Sequence, residues 1–190
     1  MRFAPILALA LFAVPQDSRA EAPPLPFAVG GAFELIDHTG AVRTEQHPQG
    51  HAQLVFFGYA NCQEICSAAL PLMGQIVDEV AQAGGKVQPV MITVDPKRDT
   101  VDSLGPDLAL HHPDFLGLTG TEAALQVAYD AFQIEVEELF VDLEYGPVFS
   151  HGSFFYLLDG AGQTLTLIPP ILDPDRAAEI VKGYVLETAS

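Results

Sequence analysis

Two strand-like runs, the continuous apolar Leu54-Val55-Phe56-Phe57-Gly58-Tyr59 and the largely apolar Val87 to Val94, constrain the fold of this chain more than any other feature. A half-solvated strand alternates polar and apolar residues. An unbroken run bounded by turn residues instead reads as a strand covered on both faces. Between the two runs, Leu70, Met73, Ile76, Val77 and Val80 recur at helical spacing until Gly84-Gly85 stops them. Strand, helix and strand in that order predict an α/β sheet with helices on its faces.

The flanking segments extend this plan. Phe33 to Ile36, a turn at Asp37-His38-Thr39-Gly40, and Ala41 to Arg43 read as an N-terminal β-hairpin. Val101 to Leu110 has helical character, Phe115 to Leu118 reads as a short strand, and Thr119-x-x-Glu122 matches a capping box for a helix through Phe132. A second hairpin is expected from Phe154 to Leu158 and Thr164 to Ile168 around Gly160 and Gly162, then a last helix opened by Asp173-Pro174. Central strands, a terminal hairpin and flanking helices make a thioredoxin-like plan. With 190 residues, 49% of them hydrophobic, there is enough apolar side chain for one such core. The domain is expected over residues 32–190, after a Pro- and Gly-rich flexible lead-in over 21–31.

Residues 1–20 have a different character. A charged start at Met1-Arg2, an apolar stretch from Ala4 to Val14 and Ser18-Arg19-Ala20 before Glu21 have the layout of a cleavable signal peptide. That stretch is well short of the ~20 residues a spanning helix requires. A periplasmic protein without a membrane span, beginning near Glu21, is therefore expected. Asp and Glu number 25 against 8 Lys and Arg, a net charge of −17, which argues against nucleic acid as a partner.

The two cysteines, Cys62 and Cys66, enclose three residues just after the first central strand. A disulfide across so short a loop restrains the unfolded chain little, so redox chemistry or metal binding is the better reading. A helix start at this point lowers thiol pKa values. If both cysteines lay within the helix, an i, i+4 pair would suit either a disulfide or a shared metal ion. Soft sulfur joined by imidazole favours copper over magnesium or calcium. Six histidines compete for the third position: His38, His47, His51, His111, His112 and His151. The residues alone do not choose among them.

Four segments together resemble the Sco (SenC/PrrC) family of copper-assembly proteins. They are Phe56-Phe57-Gly58-Tyr59-Ala60-Asn61-Cys62-Gln63-Glu64-Ile65-Cys66, Val94-Asp95-Pro96-Lys97-Arg98-Asp99-Thr100, Leu116-Gly117-Leu118-Thr119-Gly120 and Ser150-His151-Gly152-Ser153. They occur in the family's order and with similar spacing from about Phe33 onward, and the combination is specific where a lone C-x-x-x-C is not.

The resemblance implies a thioredoxin-like fold, a central mixed β-sheet flanked by helices, with an inserted hairpin before the histidine. The acidic segment from Glu135 to Tyr145 falls where that hairpin belongs, and a solvated hairpin with one buried face is expected. The resemblance also implies copper, Cu(I) or Cu(II), held by Cys62, Cys66 and His151. The implied partners are cytochrome c oxidase subunit II, whose copper A centre such proteins help assemble, or a copper donor protein. A monomer is expected. Asp95, Arg98 and Asp99 match a loop near the site and are read here as a helix cap with a local ion pair. Gln63 and Ser67 stand where the family usually has proline, and Ser150 stands where an aspartate commonly precedes the histidine. The rival reading is a periplasmic thiol-disulfide oxidoreductase in which Cys62 and Cys66 are the catalytic redox pair. His151 separates the two readings, because dithiol exchange does not need it. A thiol peroxidase has no positive support in the sequence.

Overall fold

The computed structural model describes residues 25–62 and 66–187. The signal-peptide segment and the start of the lead-in lie outside the described residues, as do Gln63, Glu64, Ile65 and the Cys66 side chain.

The two apolar runs become β3 (Ala52–Gly58) and β4 (Val87–Thr93), which pair in parallel from Ala52 opposite Val87 to Gly58 opposite Thr93. Around them the N-terminal hairpin β1 (Leu35–Asp37) and β2 (Val42–Arg43), the short strand β5 (Leu116–Thr119) and the hairpin β8 (Phe155–Leu158) and β9 (Thr164–Ile168) complete a seven-stranded mixed sheet. Its order is β2-β1-β5-β4-β3-β8-β9. Four helices are described: α1 (Cys66–Gln82), α2 (Val101–Ala109), α3 (Glu122–Phe132) and α4 (Pro174–Glu187). This is the helix-flanked sheet that the alternation of runs predicts, mixed as the family resemblance implies.

Successive side chains of β3 enter opposite layers. Phe57 meets Tyr129 and Phe132 of α3 and Tyr156 of β8, whereas Phe56 meets Phe155 edge to face at 5.7 Å. Both phenylalanines are fully buried, and truncating either to alanine costs about 3–5 kcal/mol. On another face α1 packs against α4, and Lys182 reaches Glu79 at 3.0 Å.

Two local expectations are corrected. The cap of α3 is Thr121, whose hydroxyl accepts the Ala124 N–H, and not Thr119. Thr119 lies in β5 and donates instead to the Asp99 carbonyl at 2.8 Å. The reciprocal capping box belongs to α2, between Thr100 and Ser103.

The acidic segment does form a hairpin, β6 (Glu137–Asp142) paired antiparallel with β7 (Gly146–Ser150), as a separate two-stranded sheet. The expected buried face is only partial. β6 is solvent-exposed from Glu137 to Val141; among the described residues no second layer covers it.

Candidate functional site

The site forms where β3 ends. After Gly58 the chain turns through Tyr59, Ala60 and Asn61 to Cys62, whose N–H donates to the Tyr59 carbonyl at 3.2 Å. Cys62 is buried and lies outside the helix; Cys66 opens α1. The conditional geometry of both cysteines on one helical face is therefore not the arrangement found. The helix N-terminus, the positive end of its dipole, still falls at Cys66.

His151 follows β7 directly and enters the same neighbourhood. Its ring meets Phe56 at 5.7 Å and Tyr59 at 5.9 Å, both edge to face. Tyr59 thus joins the two sequence-predicted ligands, with its carbonyl holding the Cys62 backbone and its ring flanking His151. The imidazole Nδ1 lies 2.9 Å from the Gly152 carbonyl oxygen. A carbonyl only accepts, so Nδ1 is the donor in this contact. A ligand histidine is commonly oriented in this way by a carboxylate or carbonyl. Here the backbone carbonyl after His151 supplies what Ser150, replacing an aspartate, does not. An open groove of about 370 Å³ adjoins the ring, walled by Phe27, Val29, Ile134 and Phe154.

The remaining histidines lie elsewhere. His47 accepts N–H groups of Gln49 and His51 at its Nδ1, His38 accepts the Gly117 N–H, and His112 lies 3.3 Å from Asp78. None of these contacts involves Tyr59, Cys62 or His151.

The Asp95-to-Thr100 loop does more than its local reading allowed. The expected ion pair of Arg98 with Asp95 and the Thr100 cap are both present. In addition, the Arg98 guanidinium donates to the carbonyls of Tyr145 and, at 2.9 Å, Pro147, and lies over the Tyr59 ring at 5.6 Å. Asn61 Nδ2 also donates to the Tyr145 carbonyl at 2.9 Å, and Phe149 meets Tyr59 at 5.6 Å. Together they hold the β6–β7 hairpin to the cysteine loop. The only sequence signal for this was the i, i+3 spacing of Asp95 and Arg98, which shows the ion pair and not its distant acceptors.

Beneath this layer lies Asp99, 3% exposed, whose Oδ2 accepts the Thr93 hydroxyl at 2.7 Å and the Ala60 N–H at 3.1 Å. Burial raises its carboxyl. The hydrogen bonds from Thr93 and Ala60 oppose the rise and Asp95 adds to it, leaving Asp99 at about 6. Tyr129 donates to the Thr93 carbonyl at 2.7 Å, and burial near Asp95 and Asp99 pushes its phenol upward, so it remains a donor.

The mixed sheet with its flanking helices and the hairpin inserted before His151 define a thioredoxin-like protein. A SCO1/SenC family profile matches residues 21–186, and the chain belongs to that family. It is 35% identical over 157 residues to a SCO2-like protein of Rickettsia felis, covering 82% of this chain and 76% of that one. Among solved structures it is similar to Bradyrhizobium japonicum ScoI with copper bound, at 26% identity and a TM-score of 0.73, covering 83% of this chain and all of that one. Yeast Sco1 with copper bound gives 31% identity and a TM-score of 0.72, covering 85% and 93%.

Proposed function

We infer that this protein binds one copper ion through Cys62, Cys66 and His151 and delivers it in assembly of the copper A centre of cytochrome c oxidase subunit II. The observation that carries this reading is the convergence of His151 and the cysteine loop on one tyrosine. The Tyr59 ring flanks the imidazole while its carbonyl holds the Cys62 backbone, and the Gly152 carbonyl orients the ring through Nδ1. Two thiolates and one imidazole suit copper, and the copper-bound structures of ScoI and Sco1 share the fold. Copper is cargo here, and the residues' work is to hold it loosely enough to release.

The second reading, reduction of a partner's disulfide by the Cys62/Cys66 pair, is supported by the position of Cys66 at the start of α1. Incubating the protein with the copper-free soluble domain of oxidase subunit II separates the two. Copper moving to that domain supports delivery, whereas disulfide reduction without metal transfer supports the oxidoreductase. Export to the periplasm with cleavage near Glu21 belongs to the same reading. Among the described residues no helix is long and apolar enough to cross a membrane.

A further inference from the structure

The β6–β7 hairpin is anchored on one side and bare on the other. A lone two-stranded hairpin is marginal in water. This one is held by Arg98 and Asn61 at the Tyr145 and Pro147 carbonyls, and by Phe149 against Tyr59. Directly opposed residues in an antiparallel pair share a face. Phe149 is paired with Glu138, so the next pair, Phe140 with Val148, points away from Tyr59. A bulge between Glu138 and Phe140 leaves Leu139 out of the ladder.

The result is an apolar surface at the hairpin's outer edge. Leu139 and Phe140 are each 55% exposed and Leu143 at the tip is fully exposed, whereas Val141, paired with Pro147, falls on the Phe149 face. Folded chains rarely present so many large apolar groups together without a partner to cover them.

Charge selects the occupant. Glu137, Glu138, Asp142 and Glu144 are interleaved with these residues along the hairpin. Asp142 is held ionised by the amide N–H groups of Tyr145 and Glu144, which lower its pKa. Arg98, the cation at the hairpin base, is turned inward to Asp95 and the backbone carbonyls. A second copy would press one acidic hairpin against another, in a chain already carrying −17.

We propose that Leu139, Phe140 and Leu143 dock a partner protein whose apolar contact surface is rimmed by lysine or arginine. The inference rests on the proposed function for its consequence. The anchors run through Asn61, next to Cys62, and β7 ends next to His151, so a partner seated on the hairpin is held beside the metal-binding residues.

The test is an amide-resonance titration of the whole mature protein with a synthetic amphipathic peptide, leucine-centred and lysine-flanked. The expected result is perturbation confined to residues 137–148 and their anchors. Affinity should fall at least about tenfold between ~20 and ~300 mM salt, and at least about tenfold in the double variant Phe140→Ser, Leu143→Ser. Val127→Ser, at an exposed position on α3, should leave affinity unchanged. No binding, perturbation spread over the other acidic surfaces, undiminished affinity in the double variant, or a dimer that the double variant abolishes would each overturn the proposal. Copper titration of the same samples reads the other question. Peptide docking without copper binding removes the proposed function and leaves the docking surface standing.

Discussion

Arg98 donates to the carbonyl oxygen of Pro147 across 49 residues of sequence at 2.9 Å, joining the loop after β4 to the strand that leads into His151. The same guanidinium neutralises Asp95, which is 2% exposed. Removing it leaves a buried carboxylate uncompensated and two carbonyls short of a donor. Arg98→Ala is expected to lower stability by about 2–4 kcal/mol and to speed amide exchange along residues 146–150. Arg98→Lys should recover only part of this, since an ammonium cannot reproduce the planar fork. Denaturant melts with hydrogen exchange check both.

Asp99 gives a pH signature. Its folded pKa, about 6, lies above its ordinary value of 3.8, so the neutral acid is the form the fold prefers. Its contribution is complete below pH ~4 and is lost as pH rises through about 6. Asp99→Asn should therefore be more stable than the parent by about 1–3 kcal/mol at pH 8, with the difference vanishing near pH 4. A variant less stable than the parent at pH 8 would show that the ionised carboxylate is favoured in place.

Asp37 has the opposite sign. Burial pushes its carboxyl up, but hydrogen bonds from Thr39, Arg43 and Ala41 outweigh this and bring it to about 2. The resulting stability is complete above the ordinary value of 3.8 and is lost as pH falls through about 2. Asp37→Ala should cost about 2–3 kcal/mol at pH 6, with the gap to the parent closing as pH approaches 2. Urea midpoints measured across that range test it.

The sequence showed those parts of the fold whose cause is local or periodic. β3 and β4 were visible because strands buried on both faces carry no polar alternation, and α1 because its apolar stripe ends at Gly84-Gly85. The α3 cap was misassigned because Thr119 and Thr121 both stand before Glu122. The structure decides between them through the Asp99 carbonyl, which takes the Thr119 hydroxyl into the sheet. The reach of Arg98 to Tyr145 and Pro147 was invisible because backbone carbonyls accept from any residue type and leave no pattern. The orienting partner of His151 was hidden for the same reason, being the carbonyl of Gly152. The bare outer edge of β6 could not be foreseen, since its imperfect alternation looks the same whether or not a second layer covers it.

Anaerobic titration of the reduced protein with Cu(I) and Cu(II), in parallel with His151→Ala, His111→Ala and His112→Ala, tests the ligand assignment most directly. Two thiolates hold Cu(I) without help, so His151→Ala should weaken Cu(I) binding only modestly. Cu(II) prefers nitrogen donors, so the same variant should lose or strongly shift the thiolate-to-copper(II) absorption band while its cysteines still form a reversible disulfide. His111→Ala and His112→Ala should match the parent, with one copper per chain. A wild-type Cu(II) spectrum and affinity in His151→Ala would contradict the assignment and bring the dithiol oxidoreductase to the front.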